Sequence, residues 1–480
     1  MVGATQPAGR EHLVDAQTAS VAGAGYRAAY VALAATIVAG TAFAPVNSGA
    51  VALAHFLGGH VLNDRAIAMR LGSETFTAPG SYSGGIGWLG AVANELLARA
   101  GHGYALFATM LAALVAFAFV ELRARRAGGR WLALGAVVLA GSCAPGSLGI
   151  AGGITTAAFA AVLAYVLERP SRTAAIVATV LAVVWCNVAA EGLLAPAIAA
   201  CFAAATTLRG GTGDERRWSR FACLGTALAL LATPAFLSYP LYALGTLRLD
   251  RDLFGVVAYH PIDVAPLAYR VGFTAMVLAG LALGLQRDRG ASIPLFAAAA
   301  ILALMNGAFV IVFGVLAAPV LAASAAAAYP YFDKLSTGSL RGDIASGVAA
   351  VALAAGLVAV AAAPATAPGY ALAASLASDG RSHRVFCYDV DWCDVAISGA
   401  PLVSVFADGR VAAYPSTVLS RQRDIVAMKN HWRSAIERYK VDTMILRNDR
   451  PLTTMISMAP GWSVVASDSA ASVFERAALR

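Results

Sequence analysis

Long apolar runs alternate with short polar segments between residues 26 and 364. A helix of about 18 or more apolar residues crosses the roughly 30 Å of hydrocarbon in a bilayer. The runs lack the period-2 alternation of membrane β-strands, so they predict helices rather than a barrel. We predict about eleven spans: 26–46, 103–122, 131–147, 151–167, 173–189, 192–208, 221–239, 270–286, 291–306, 308–328 and 344–364.

The composition supports a membrane domain. Hydrophobic residues make up 59% of the chain and charged residues 13%, against roughly 25% charged residues in a soluble globular protein. A formal net charge of +8 would suit a nucleic-acid partner, but the arginines gather in short segments between apolar runs. We therefore expect no nucleic-acid partner. The polar leader 1–25 contains Glu11 and Asp15 and reads as cytoplasmic, with no signal peptide evident.

The basic residues indicate how the chain is oriented, because short loops rich in lysine and arginine stay in the cytoplasm. Opposite-side turns near Pro145 and Ala190 carry no lysine or arginine. This pattern predicts a cytoplasmic N-terminus and, after about eleven spans, a C-terminal domain outside the cytoplasm. The basic residues concerned are Arg123, Arg125, Arg126, Arg130, Arg169, Arg172, Arg209, Arg216, Arg217, Arg220, Arg287, Arg289, Lys334 and Arg341.

Two loops on the outward side of the predicted transmembrane domain, 26–364, are long. The first, about 47–102, contains the apolar but short segment 49–63, which we expect to lie along the membrane interface as a helix. It also contains 86–100, whose apolar residues have helical spacing. The second loop, about 240–269, carries tyrosines that suit the headgroup zone.

Residues 365–480 predict a small α/β domain on the outward side. The segments HRVFCYDV, LVSVFA and DTMILR have the β-branched and aromatic content of strands. Residues 419–439 predict one or two amphipathic helices, and SVVASD and ASVFERA predict a closing strand pair. The mixture of strands and helices is typical of an α/β or α+β domain.

Cys387 and Cys393 of this domain do not have the CxxC spacing of a metal or redox site. An outward compartment favours disulfides, and we predict that a strand–turn–strand brings the two sulfurs together. The alternative is a pair of unpaired thiols in adjacent strands. The remaining cysteines fall in apolar segments and are expected to be packing residues: Cys143, Cys186, Cys201 and Cys223.

Four segments of the chain, and the order in which they occur, resemble those of one superfamily of membrane proteins. They are HFLGGHVL at 55–62, GWLGAVANELL at 87–97, VVWCNVAAEG at 183–192 and VFADGRVAAYPSTVL at 405–419. Together they resemble the GT-C superfamily of polyprenyl-phosphate-sugar-dependent membrane glycosyltransferases, and more closely a bacterial membrane-protein group related to it. The resemblance implies an all-α polytopic membrane domain of about eleven helices with a small α/β C-terminal domain, in the bacterial inner membrane.

The resemblance also implies sugar transfer from a polyprenyl-phosphate donor at the outer membrane face, with membrane lipid and a membrane protein as candidate partners. GT-C enzymes use an acid in the first outward loop as general base or metal ligand. The aligned positions here are Val51 and Leu71. Asp64 and Glu74, a few residues out of register, are therefore the candidate catalytic acids. A divalent metal is compatible with this chemistry, but the sequence identifies no ligand set.

The arginine pair with which the family could grip a phosphate is also replaced, with Gly152 and Asn306 near those places. Other residues at span ends and in the outward loops are candidates for substrate binding. Each has an ordinary alternative: helix packing for the apolar and amide side chains, and solvation in a loop or turn for the charged ones. The candidates are His55, Trp185, Asn187, Glu191, Arg248, Arg251 and Arg270.

Two functional hypotheses from different classes remain open. The first is a membrane glycosyltransferase, on the grounds of span order, the long first loop and the outward domain. The second is a non-catalytic scaffold or complex subunit that keeps the fold after the site has decayed, because the expected acids are missing. A transporter is a third reading, since CAPGSLGIAGG at 143–153 could break a helix, but the sequence shows no inverted repeat.

The orientation is testable by cysteine-accessibility labelling on intact cells. We expect single cysteines placed in 365–480 to react with a membrane-impermeant reagent, because the basic loops put that domain outside. Cysteines placed in the loop around Arg125 should react only after lysis. Labelling of the Arg125 loop, with protection of the C-terminal domain, would reverse the predicted topology.

Overall fold

The computed structural model describes residues 48–67, 69–100, 102–127, 129–143, 153–249, 274, 277–281, 293–305, 309–328, 369–378, 380–399 and 401–477. The described residues form two parts. The helical domain covers the described residues from 48 to 328, and the C-terminal domain covers those from 369 to 477.

Apolar and alanine-rich sequence gives the helical domain its elements, because alanine and leucine are strong helix formers. The helices are α1 (Ser48–Asp64), α2 (Trp88–Ala100), α3 (His102–Ala127), α4 (Arg130–Ser142), α5 (Gly153–Leu167), α6 (Arg172–Val188), α7 (Leu194–Leu208), α8 (Gly213–Ala229), α9 (Tyr239–Leu249), α10 (Ile293–Met305) and α11 (Val310–Ala328). The helices predicted at 49–63 and 86–100 are confirmed as α1 and α2.

Small side chains let these helices pack closely, as in membrane bundles. Alanines at the contacts of α3, α5 and α11 are fully buried. Trp185 of α6 is also fully buried and stacks on Phe159 of α5, with ring centroids 5.5 Å apart. The core of the helical domain is therefore continuous across α3 to α8, α10 and α11.

Among the described residues, two helices are long and apolar enough to cross a membrane, Ala190–Leu208 and Val310–Ala327, and shorter apolar helices accompany them. The predicted spans 26–46 and 344–364 lie outside the described residues, as does most of 270–286. The number of about eleven spans stays a prediction.

The predicted span 221–239 has the wrong bounds. A capping box starts α8 earlier, at Gly213, since Thr212 Oγ1 accepts from the Glu215 backbone N–H and Glu215 Oε2 accepts from that of Thr212. The helix ends at Ala229, ahead of Pro234. The start of the predicted loop 240–269 is likewise helical, as α9.

Two of the basic residues, Arg123 and Arg126, lie near the first residue of α6, and α2 contacts the other end of that helix. Before α6 begins, Glu168 accepts from Arg123 Nε at 2.6 Å and from Arg126 Nη1 at 3.1 Å. At the other end of α6, Asn187 Oδ1 accepts from Trp88 Nε1 of α2 at 2.7 Å. The orientation of the chain in the membrane stays a prediction.

The C-terminal domain is built around a five-stranded sheet in the order β2-β1-β3-β5-β4. β1 pairs in parallel with β2 and β3, and β5 pairs antiparallel with β3 and β4. Its elements are α12 (Tyr370–Ser378), β1 (His383–Cys387), α13 (Val390–Ser398), β2 (Val403–Val405), α14 (Ser416–Val426), α15 (Trp432–Arg438), β3 (Thr443–Arg447), α16 (Pro451–Ser457), β4 (Trp462–Ser467) and β5 (Ala471–Arg476).

The strands, the helical segment 419–439 and the closing strand pair are where the sequence predicted them. α13 was not predicted, because HRVFCYDV was read as a strand as far as Val390. Parallel strands need a crossover connection, and α13 provides it between β1 and β2.

Cys387 and Cys393 are joined by a disulfide, with Cα atoms 5.7 Å apart. Cys387 ends β1 and Cys393 lies in the first turn of α13. The predicted pairing is present, but the predicted strand–turn–strand is wrong, because the second cysteine lies on a helix. The bond therefore ties the crossover helix to the central part of the sheet.

The C-terminal domain docks on the helical domain through α1, which packs against both α2 and α13. Gly49 lies so close to Asp391 of α13 that an added Cβ would be 2.5 Å from the Cβ of Asp391. Residues after α1 extend the sheet beyond β2, since Thr75 forms a parallel bridge with Val405. The first loop and the C-terminal domain therefore share one sheet edge.

The disulfide is expected to stabilise this docking. Replacing Cys387 and Cys393 together with serine should lower the free energy of unfolding by about 2 kcal/mol, the low end of the usual range because the closed loop is short. Thermal unfolding of the full chain in detergent, with and without reductant, measures the change. Reductant should destabilise the wild type and a Cys223→Ala control, but not the double variant. Two free thiols in the non-reduced domain by mass spectrometry would contradict the assignment.

Candidate functional site

A cavity of about 170 Å³ lies where the helical domain meets the C-terminal domain. The first loop, α1, α9 and the turn before α7 form one part of its wall, and the segment after β2 forms the rest. Most of the wall is apolar, and Arg410 is the charged residue in it. The lining residues are Leu53, Leu57, Val61, Ile67, Ser83, Gly85, Ile86, Trp88, Ala190, Tyr242, Gly409, Arg410, Val411 and Ala412.

One face of α1 runs along this cavity. Leu53, Leu57, His60 and Asp64 follow one another at spacings of four and three, which places them on the same side of a helix. The two leucines line the cavity. His60 Nδ1 and Asp64 Oδ2 are 2.6 Å apart, and the side chain of Asp64 is 61% exposed. Asp64 therefore lies past the end of the cavity and pairs with an imidazole.

Arg410 is held by two carboxylates. Asp408 accepts from its Nε at 3.1 Å and from its Nη2 at 2.6 Å, and Glu74 Oε1 accepts from the same Nη2 at 2.8 Å. Arg410 is 8% exposed and Asp408 is fully buried. Burial lowers the pKa of Arg410, but the charge of Asp408 and its hydrogen bonds outweigh this and raise the pKa above its ordinary value. The guanidinium therefore stays charged.

The turn that carries Arg410 is packed against α1 and α13. The Gly409 N–H donates to Asp394 Oδ1 at 2.8 Å. A Cβ at Gly409 would lie 2.6 Å from Asp394 Oδ2 and 3.1 Å from Leu53 Cδ2. The neighbouring side chains therefore leave no room for a side chain at this position, and glycine fits it. Arg410 was not among the predicted site residues, because Asp-Gly is typical of a turn.

Glu74, the second candidate acid, lies beside Arg410. Its Oε1 also accepts from the Gly72 backbone N–H at 2.9 Å, so this oxygen serves two donors. Asp64 and Glu74 are thus placed differently. Glu74 is an ion-pair partner that joins the first loop to the C-terminal domain, whereas Asp64 is exposed on α1.

His55 faces α2 rather than the cavity. Its Nδ1 contacts Glu95 of α2, a carboxylate that also accepts from Arg99 Nε at 2.5 Å. Glu95 is 3% exposed, and Arg99 Nη2 donates to Asn63 Oδ1 at 3.2 Å. This network ties α1 to α2. Glu95 was not among the predicted site residues, although an acid within an apolar helical segment is a signal in the sequence.

Trp185 and Asn187 do not line the cavity. Besides accepting from Trp88, Asn187 donates from Nδ2 to the carbonyls of Val183 at 2.8 Å and Ala232 at 2.9 Å. These bonds connect α2, α6 and the segment after α8. In this structure Trp185 therefore packs between helices and Asn187 forms interhelical hydrogen bonds, which is the alternative considered for them.

Glu191 lies in a 3-10 turn, Ala190–Leu193, beside the cavity residue Ala190. Tyr239 fixes this turn by contacting the carbonyls of Ala189 and Ala190, each at 3.2 Å. Arg251 and Arg270 lie outside the described residues, as does the side chain of Arg248. Among the residues that the structure describes, no three histidine, cysteine, aspartate or glutamate side chains lie close enough to hold a metal ion.

The sequence matches no protein-family model and no curated protein. Solved structures are similar to it, among them two of an oligosaccharyltransferase and one of an arabinofuranosyltransferase. Archaeal oligosaccharyltransferase AglB from Archaeoglobus fulgidus, with an inhibitory peptide and a dolichol-phosphate, gives a TM-score of 0.54 at 10% identity, covering 88% of this chain and 69% of that one. The Archaeoglobus fulgidus oligosaccharyltransferase with Zn and sulfate gives 0.53 at 12% identity, covering 93% and 73%.

Arabinofuranosyltransferase AftD from Mycobacteria gives a TM-score of 0.51 at 15% identity, covering 94% of this chain and 41% of that one. AglB and AftD are members of the GT-C superfamily and integral membrane proteins. The chain therefore has a GT-C-like fold, and the resemblance inferred from its sequence is confirmed for the fold.

The buried carboxyl of Asp394 generates a pH prediction. Burial raises its pKa well above the ordinary value, and the charges of Asp408 and Asp391 add to this, against the opposing effects of the Gly409 N–H and Arg410. A carboxyl with a raised folded-state pKa stabilises the fold fully below its unfolded pKa of about 3.9. It loses that contribution as pH rises through the folded pKa.

Asp394→Asn keeps an acceptor for Gly409 and cannot ionise. The variant should therefore gain stability relative to the wild type as pH rises above about 4. Thermal unfolding of the full chain across a pH series measures this difference, with the exposed Asp449→Asn as matched control. A difference from wild type that is constant with pH would show that Asp394 titrates as it does in the unfolded chain.

Proposed function

We propose that the chain is a membrane glycosyltransferase that takes a sugar from a polyprenyl-phosphate-linked donor. The observation that supports this most is the position of the cavity, at the junction of the first loop, α9 and the C-terminal domain, in a GT-C-like fold. AglB was solved with a dolichol-phosphate, and we propose a lipid of the same class as the donor carrier for this chain. The proposed location of the chain is the bacterial inner membrane, with the C-terminal domain outside the cytoplasm.

In the proposed reaction, an acceptor hydroxyl loses its proton to a base and its oxygen attacks the anomeric carbon of the sugar. The bond from that carbon to the donor phosphate breaks, and the lipid phosphate leaves with the bonding electron pair. A base with a pKa suited to the working pH typically contributes about 10²–10⁴-fold. The protein must also hold the leaving phosphate where its charge is stabilised.

Of the two candidate acids, Asp64 is the better placed for a part in proton transfer. Glu74 is committed to Arg410 and to the Gly72 N–H, and its loss would leave a buried cation with one partner fewer. Asp64 is exposed beside the cavity and holds His60 Nδ1. In such a pair the carboxylate orients the imidazole, and the other ring nitrogen, Nε2, takes the proton.

A transfer assay on the full chain in lipid nanodiscs tests this function. With polyprenyl-phosphate-linked sugars as donors, Asp64→Asn should lower the rate by about 10²–10⁴-fold, because the imidazole base that it orients usually contributes that much. His60→Gln should lower it by a similar factor. Glu437→Gln, at an exposed position of the C-terminal domain, is the matched control and should keep the wild-type rate.

Turnover that neither Asp64→Asn nor His60→Gln reduces would remove this pair from the mechanism. Absence of turnover with every polyprenyl donor would favour the non-catalytic hypothesis. In that case, deletion of the C-terminal domain should dissociate a membrane-protein partner, which co-purification measures.

A further inference from the structure

One edge of the Arg410 guanidinium has no hydrogen-bond partner among the described residues. Asp408 and Glu74 occupy the edge formed by Nε and Nη2. Nη1, on the opposite edge, is buried and makes no hydrogen bond within the described part of the chain. A buried donor without an acceptor costs about 1–3 kcal/mol. Such donors are rare in native structures and need an explanation. Arg410 is also part of the cavity wall.

The two carboxylates more than balance the charge of Arg410, and this decides what can bind beside it. Asp408 and Glu74 supply two carboxylates to one guanidinium, so this cluster is net negative. A phosphate brought to Nη1 would meet both carboxylates across a few ångströms of low-dielectric interior, where like charges repel strongly. A neutral oxygen accepts the same hydrogen bond without that repulsion.

The walls and the size of the cavity point in the same direction. Trp88 and Tyr242 contribute aromatic surface, and Leu57 and Val61 contribute aliphatic surface. The volume of about 170 Å³ lies below the roughly 300–1,000 Å³ of pockets for drug-sized ligands. The cavity therefore suits one small ring with apolar faces and polar edges better than a long polyprenyl chain.

We propose that this cavity binds a single uncharged sugar residue, and that Arg410 donates a hydrogen bond from Nη1 to one of its hydroxyl oxygens. The choice of a sugar rests on the proposed function. The preference for a neutral ligand rests on the two carboxylates that already bind Arg410. The phosphate of the donor then binds elsewhere. Arg410 is a specificity residue for the sugar and takes no part in proton transfer.

Ligand binding without turnover tests this proposal. The full chain in detergent is titrated with methyl glucopyranoside, methyl arabinofuranoside and inorganic phosphate, with binding followed by saturation-transfer NMR. At least one glycoside should bind the wild type. Arg410→Lys keeps a cation beside Asp408 and Glu74 but removes Nη1, and should weaken that binding about tenfold or more, as for one hydrogen bond from a charged donor.

A second variant leaves the ion pair intact. Ala412→Leu places a larger side chain in the cavity wall and should abolish glycoside binding, whereas Ala477→Leu, an exposed alanine of the same domain, should leave it unchanged. Ala412→Leu decides the question if Arg410→Lys does not fold. Thermal unfolding of each variant identifies losses that are due to misfolding.

Three results would overturn the proposal: no glycoside binding to the wild type, full binding by Ala412→Leu, or phosphate binding that depends on Arg410. Failure of the transfer assay has a separate meaning. Glycoside binding that is lost in Ala412→Leu supports the subsite even if no donor is turned over. Conversely, turnover that depends on Asp64 supports the transferase even if no free glycoside binds.

Discussion

The ion pair between Arg410 and the carboxylates of Asp408 and Glu74 joins two parts of the chain that are 336 residues apart. Burying a guanidinium is costly unless its charge is matched and its geometry is good. Here Asp408 takes two donors from one edge, and Glu74 brings the first loop to the same nitrogen. Removing one partner from such a site typically costs about 3–5 kcal/mol. The cavity wall therefore depends on all three side chains.

Close backbone packing around α1 supports that arrangement. At Gly58 the chain meets the Ala91 carbonyl with no room for a side chain, and Gly49 meets Asp391 in the same way. α1 is therefore held between α2 on one side and α13 on the other, and the disulfide holds α13 to β1. These contacts fix the face of α1 that carries Leu53, Leu57 and Asp64 relative to Arg410.

Local pattern was enough to predict much of the fold. The spacing of apolar residues in 86–100 gave α2, and β-branched residues gave the strands of the C-terminal domain. α13 escaped prediction because Cys393 was expected on a second strand after a turn, whereas Val390–Ser398 is helical. α8 started before its predicted span because a polar capping box, rather than apolar sequence, sets its first residue.

The candidate site was harder to predict, because its polar contacts are long-range. Asp64 was selected for its position in the first loop, but its partner His60 was not among the candidate site residues. Arg410 sits in a short turn sequence, and its significance comes from Glu74 in the first loop and from the Leu53 face of α1. Pattern within a window of residues carries no information about such contacts. Sequence pattern therefore located the elements, whereas the chemistry of the cavity required the tertiary structure.

The missing acid at Leu71 also has a physical reason. Leu71 is 2% exposed and packs in the core of the C-terminal domain. A carboxylate there would be buried without a cation, at a cost that no loop contact of this size offsets. The first loop packs against the C-terminal domain in this chain. An acid at position 71 would therefore be incompatible with that packing. Asp64, the one acid in the sequence of α1, lies on the cavity side of that helix, where solvent reaches it. A carboxylate is tolerated there while the loop remains docked.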